Sequence, residues 1–117
     1  MTYVDGFIVA VKKDKVDDYK RIAEIACTVW KDHGAIDYVE ALADDVSVGE
    51  LTSFPRAVKL EDDEVVVFSY ITYPSREVRD DCMKKVMEDP RLKADMENMP
   101  FDGKRMIHGG FKAIVEG

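Results

Sequence analysis

Cysteine, histidine, tryptophan and proline are scarce, at two, two, one and four in 117 residues. Each shortage excludes something. The two histidines, His33 and His108, lie far apart, and the chain has no HxH, no HExxH and no paired cysteines. No metal site is expected on that pattern. Cys27 and Cys82 lack CxxC spacing and fall on apolar helical faces, as buried and reduced thiols do. A reactive thiolate needs a cationic neighbour or a helix N-terminus, and mid-helix positions offer neither, so both are read as core filler. Apolar runs such as Val65 to Phe68 are far too short to span a bilayer. Residues 1–11 lack the basic start and small-residue cleavage site of a signal peptide, so a cytoplasmic location is expected. Positive charge is also short: 17 basic residues stand against 24 acidic ones, for a net charge of −7. Nucleic-acid binding rests on phosphate neutralisation, and the small lysine clusters here are interleaved with Asp and Glu, so that class is disfavoured. Gly6 and Gly109-Gly110 do not open helices, and neither GxGxxG nor a P-loop occurs. No cofactor is implied.

What remains is ordinary globular material, 46% hydrophobic and 35% charged, in a length that fits a single domain over residues 1–117. Tyr3 to Val11 reads as a strand, rich in β-branched and aromatic residues. Asp14 is placed to cap a helix whose Val16, Tyr19, Ile22, Ala23, Ala26, Trp30 and His33 form a broad apolar stripe. Gly34 marks its end. Ala35 to Leu42 is a second strand. Residues 43–63 show no clear element, and so long a connection is usually functional or packs on a partner. Glu64 to Tyr73 is the clearest strand, stopped by Pro74. Ser75 caps a second helix with Val78, Cys82, Met83, Val86 and Met87 facing inward, and Pro90 opens a further turn. An Asp102-Gly103 turn leads into a last strand over residues 105–115.

The order β-α-β-β-α-β predicts an α+β ferredoxin-like sandwich with an antiparallel sheet. Right-handed crossovers place both helices on one sheet face. The other face should then be polar if it meets water. Instead, Tyr3, Phe7, Val9 and Val11 stand on one side of the first strand and Val4, Ile8 and Ala10 on the other. Both faces want cover, and a second copy is the simplest source of it. A homodimer is expected.

Three motifs carry a resemblance. Tyr3-Val4-Asp5-Gly6-Phe7, Thr52-Ser53-Phe54-Pro55-Arg56-Ala57-Val58-Lys59 and Met99-Pro100-Phe101-Asp102-Gly103-Lys104-Arg105-Met106 resemble the YbaA-like family of small bacterial proteins, over essentially the whole chain. The resemblance implies the dimeric α/β-barrel superfamily, in which two ferredoxin-like sheets pack face to face. Antibiotic-biosynthesis monooxygenases, muconolactone-isomerase-like enzymes and stress-responsive barrel proteins belong to it, and their ligand cavities commonly lie between sheet and helices. The family supplies no established reaction and no catalytic residues to carry over, and fold does not fix function.

The residues themselves offer a few polar groups in apolar settings. Asp5 interrupts a strand that is central in this fold, so its carboxylate must be paired, with Arg105 or Lys112 as the expected partner, or serve as a general base. His108 shares a parity with Met106, Gly110 and Ile114, and its two glycine neighbours suggest a bulge or the close approach of another group. It is either a satisfied strand histidine or a proton carrier at a ligand. Arg56, held after Phe54-Pro55, suits a carboxylate or phosphate ligand, or an acidic partner across a dimer interface. Tyr70 and Arg105 complete the ligand-binding candidates, although Lys104 and Arg105 are most simply solvated flanks of a turn. Met83, Met87, Met96, Met99 and Met106 are core by spacing and could also form an adaptable cavity wall.

Two readings of function stay open. One is a small-molecule-binding barrel, extending to a cofactor-independent enzyme on a modest organic substrate, with Asp5 and His108 on the cavity wall and Arg56 near its mouth. The other is a non-enzymatic homodimeric stress or regulatory module in which the same polar groups hold an interface. The partners expected are a second copy and a small-molecule ligand, with no nucleic acid and no membrane. A cavity walled by Asp5 or His108 separates the two.

Overall fold

Alternation along four strands builds one antiparallel sheet, and the computed structural model describes residues 2–117 of it and its helices. The elements run β1 (Tyr3–Lys12), α1 (Val16–Asp32), β2 (Asp37–Leu42), α2 (Phe54–Ala57), β3 (Glu64–Tyr73), α3 (Arg76–Glu88), α4 (Pro90–Met96) and β4 (Ile107–Lys112). Spatial order is β2-β3-β1-β4, which puts β1 and β3 at the centre. This is the expected ferredoxin-like α+β architecture.

Register assigns the faces. Tyr3 stands opposite Tyr73 and Lys112, Asp5 opposite Ile71 and Gly110, and Phe7 opposite Ser69 and His108. Directly opposed residues share a face. Odd-numbered positions of β1 therefore join Tyr38 and Glu40 of β2, Ser69, Ile71 and Tyr73 of β3 and His108 of β4 under the helices. Into that face α1 presses Ile22, Ala26 and Val29, while α3 and α4 add Cys82, Val86 and Leu92. Burying each aliphatic side chain completely contributes roughly 1.5–3 kcal/mol.

Local chemistry sets the boundaries. Ser75 Oγ accepts from the Val78 amide at the start of α3, and Asp89 Oδ1 accepts from the Arg91 amide at the start of α4. Gly34 ends α1 with φ +121°, a conformation side chains rarely adopt, and an added Cβ would lie 3.1 Å from Val78. Asp14 does not cap α1. It lies inside a 3₁₀ turn over Lys13–Lys15, and the helix begins without a side-chain cap. The last strand is also shorter than 105–115, because a 3₁₀ turn occupies Gly103–Arg105 and Asp102 Oδ1 accepts from the Lys104 amide.

The 43–63 connection departs most from expectation. Ser53 caps the single turn of α2, accepting from the Arg56 amide, and Val58 behind it is fully buried. Val58 and Leu60 pack on Ala10 and Val66, on the sheet face away from α1 and α3. That face is therefore part-covered by the chain's own 43–63 connection, which packs on its own sheet rather than only on a partner. The uncovered part carries Val39, Phe68, Ile107 and Phe111 exposed, with Val4, Ile8 and Tyr70 half-buried among them. No helix among the described residues is long and apolar enough to cross a membrane.

Candidate functional site

Between the sheet and its helices lies a cavity of about 330 Å³. Its floor is Phe7 and Val9 of β1, Tyr38 and Glu40 of β2, Ser69 and Ile71 of β3, and His108 of β4. Tyr19 and Trp30 of α1 form one wall, and Met83 and Met87 of α3 the other. Met96, Met99, Phe101 and Met106, from the end of α4 and the loop after it, close the remaining side. The volume falls within the range that holds small organic molecules, and the lining has the usual character of such sites: apolar walls and a few polar groups. The five methionines thus line a space rather than merely fill the core, and their flexible thioethers can adapt to an occupant.

Sequence reading missed the group that dominates this cavity. Glu40 stands on the inward parity of an edge strand, opposite Ser69. Tyr19 Oη donates to Glu40 Oε1 at 2.5 Å, and Tyr38 Oη donates to Glu40 Oε2 at 2.8 Å. Burial first, and the adjoining carboxylate second, push both phenols well above the usual tyrosine range, so they remain donors. The signal was present: in Tyr38-Val39-Glu40-Ala41-Leu42 the charge sits on the same parity as Tyr38 and Leu42. A second apolar hollow, of about 380 Å³ between α1 and β2, shares Tyr19, Tyr38 and Glu40 with the first and also exposes Cys27.

His108 reaches the cavity from the other edge strand. Its imidazole stacks on Phe7, with ring centroids 6.3 Å apart and planes at 23°. The side chain is exposed rather than satisfied within a core.

Asp5 lies on the same sheet face but outside the cavity lining. Tyr73 Oη donates to its Oδ2 at 2.9 Å, and Arg79 Nε donates to its Oδ1 at 3.1 Å. Trp30 Nε1 in turn donates to Tyr73 Oη at 3.2 Å. The partner of Asp5 is thus Arg79 of α3, not Arg105 or Lys112. Arg79 also lies over the Tyr3 ring, 4.9 Å from its centroid. Gly110 makes this possible, since a Cβ there would come within 2.2 Å of Arg79 and 2.4 Å of the Tyr3 hydroxyl. The close approach suggested by Gly109-Gly110 is that of these side chains. Asp5 and His108, two positions apart in register, share no hydrogen bond.

The remaining candidates are placed elsewhere. Arg56 donates through Nε to the Val48 carbonyl at 2.8 Å and through Nη2 to the Gly49 carbonyl at 2.9 Å, so it ties down its own connection, away from the cavity mouth. Tyr70 lies on the opposite sheet face, across from Gly6 and Val39. Arg105 is no solvated flank. It grips both oxygens of Glu64 at 2.8 and 2.7 Å and donates to the Val58 and Lys59 carbonyls, while Asp102 accepts from its Nε. A polar hollow of about 570 Å³ lies beside it; of the cations on its rim, Lys12, Arg21 and Arg105 are paired with acidic side chains, and Lys15 makes no ion pair with any described residue. Among the described residues there is no cluster of three or more groups able to hold a metal ion.

Residues 2–103 match the family described as "Protein of unknown function (DUF1428)". The chain belongs to the DUF1428 family. Within reach of the family lies a protein described as "Uncharacterized protein YbaA" from Escherichia coli (strain K12), 54% identical over 116 residues and covering 99% of each chain. The resemblance carried by the three motifs thus holds over essentially the full length. Among solved structures, a dimeric ferredoxin-like protein from an uncultured marine organism superposes with a TM-score of 0.65 at 10% identity, covering 100% of this chain and 98% of that one. SnoaB, a cofactor-independent oxygenase from Streptomyces nogalater, superposes with a TM-score of 0.59 at 9% identity, covering 97% and 95%. At such identities the DUF1428 chain shares the fold with these two, and only the fold.

Proposed function

We propose that the protein binds a small organic molecule in the cavity between sheet and helices, and does so as a homodimer. The carrying observation is the cavity itself: about 330 Å³, walled by aromatic rings and thioethers, with His108 on its floor. An exposed imidazole on the wall of an apolar pocket can carry a proton to or from an occupant, which would support cofactor-independent chemistry on a modest organic substrate. In this reading Asp5 and Arg79 are structural and His108 is one of the polar groups that meet the ligand. Met87, half-exposed on α3 at the rim, provides the test. Screening a panel of small aromatic and aliphatic compounds by thermal shift is expected to find binders. Met87→Trp should fill the opening and abolish their effect, and His108→Ala should weaken it while changing stability by no more than about 0.5 kcal/mol, as for exposed sites generally. A binder indifferent to both substitutions would place its site elsewhere.

The uncovered sheet face supports the second half of the reading. Val39, Phe68, Ile107 and Phe111 leave apolar surface in water, and a twofold copy of the same face would remove it. Light scattering after size exclusion is expected to give about twice the 13.3 kDa chain mass. Phe111→Glu combined with Phe68→Glu should halve it. A wild-type monomer persisting at high micromolar concentration would rule out the face-to-face barrel.

A further inference from the structure

Among the described residues Glu40 makes no ion pair. Its partners are two neutral phenols, one on each oxygen, so its charge is met directly by dipoles alone, and Lys20, which lines the neighbouring hollow, does not pair with it. Elsewhere the enclosed carboxylates of this chain are matched differently: Asp5 meets Arg79, Glu64 meets Arg105, and Asp89 meets Arg91. A carboxylate held partly out of water without a counter-charge is unfavourable unless something else supplies one. Glu40 also sits where two apolar hollows meet, so whatever occupies either one touches it.

The surroundings suit one class of occupant. Trp30 and Tyr38 stand with ring centroids 6.0 Å apart, and Tyr19 meets Phe101 edge-on at 6.0 Å. With Phe7 these rings line the cavity, and aromatic rings attract cations to their faces through their quadrupoles. Thioethers from five methionines add polarisable, adaptable contact. The chain's net charge of −7 raises the local concentration of cations and depletes anions. Orientation is fixed in advance as well, because the two phenols hold the carboxylate from opposite sides and leave its remaining lone pairs to an occupant.

We propose that the ligand is a small amine, protonated in solution, whose ammonium group donates to Glu40 while its apolar body lies among the aromatic rings and methionines. This rests on the cavity reading above and adds the chemical class. Three compounds built on one indole ring test it: tryptamine as the cation, tryptophol as the neutral analogue and indole-3-acetate as the anion, each titrated calorimetrically. Charge-assisted hydrogen bonds are about twice as strong as neutral ones, so tryptamine should bind at least about tenfold more tightly than tryptophol, with indole-3-acetate weakest. Glu40→Gln, which keeps the shape, an acceptor for one phenol and a donor that the other phenol can accept, should erase that preference. Tyr38→Phe should keep it, because the carboxylate supplies the selectivity. The wild-type ratio is informative without any variant. Tryptophol binding as tightly as tryptamine, or a preference that survives Glu40→Gln, would overturn the amine assignment and leave the cavity reading intact. Binding by none of the three at millimolar concentration, together with a blank panel, would overturn both.

Discussion

Replacing Arg79 by methionine is expected to lower folding stability by about 3–5 kcal/mol, the typical consequence of leaving a buried charge without its partner. Asp5 is 6% exposed and sits in a central strand, with Arg79 as the cation that meets it. Removing the guanidinium leaves the carboxylate with one phenol, and water cannot reach it to compensate. Domains of this size are stable by only about 5–15 kcal/mol, so the variant should be marginal. Tyr73→Phe removes a neutral donor and should cost less, about 1–3 kcal/mol. Urea denaturation followed by tryptophan fluorescence reports both. The double change Asp5→Leu with Arg79→Met should be milder than Arg79→Met alone, since no orphaned charge remains. Were the double variant as unstable as the sum of the singles, the pair would not be coupled and the structural role given to Asp5 would fail.

Arg105 should be nearly as costly to lose, and its effect should fade in acid. The paired guanidinium holds the Glu64 carboxyl at about 2, against 4.5 ordinarily, in opposition to burial, which would raise it. A carboxyl lowered in the folded state contributes stability that is fully present above about 4.5 and is lost as pH falls through about 2. Arg105→Gln is therefore expected to lower the melting temperature at neutral pH by on the order of 10 °C. Between pH 4.5 and 2 its melting temperature should fall less steeply than that of the wild type, because burial without the guanidinium no longer favours the charged form of Glu64. Asp89, also held below its usual range by Arg91 and His33, is common to both proteins and drops out of the comparison. Parallel melting curves across that pH window would show that Arg105 does not govern Glu64.

How much of this was legible in the sequence depended on whether a residue's role is set by near or distant neighbours. Strand β3 was readable to the residue because Glu64–Tyr73 is rich in β-branched and aromatic side chains and Pro74 stops it. The helix starts at Ser75 and Pro90 followed from local capping chemistry. Asp5 was correctly marked as a buried carboxylate needing a partner, but the partner lies 74 positions away on α3 and nothing local names it. Arg105 was misread for the same reason: its turn looks solvated in sequence, whereas Glu64 and the Val58 and Lys59 carbonyls come from another part of the chain. Lys59 even takes a left-handed φ of 51° there, which no sequence signal announced. Glu40 belongs to an abundant residue type, so scarcity does not mark it. It is one acid among many, and only strand parity distinguishes it.

The short helix α4 has consequences for kinetics. Asp89 anchors its first turn, accepting from His33 at 2.9 Å and from Arg91, which also reaches Asp32 at 2.8 Å. Beyond that knot only Leu92 is buried, and the helix then runs out at Met96 beside the cavity. Seven residues are too few to be a stable helix without such support. The free-energy cost of local opening should accordingly rise from the Met96 end towards Asp89. Fraying of this one segment would then move the Met96 side of the cavity wall on the timescale of local opening, while the sheet beneath stays still.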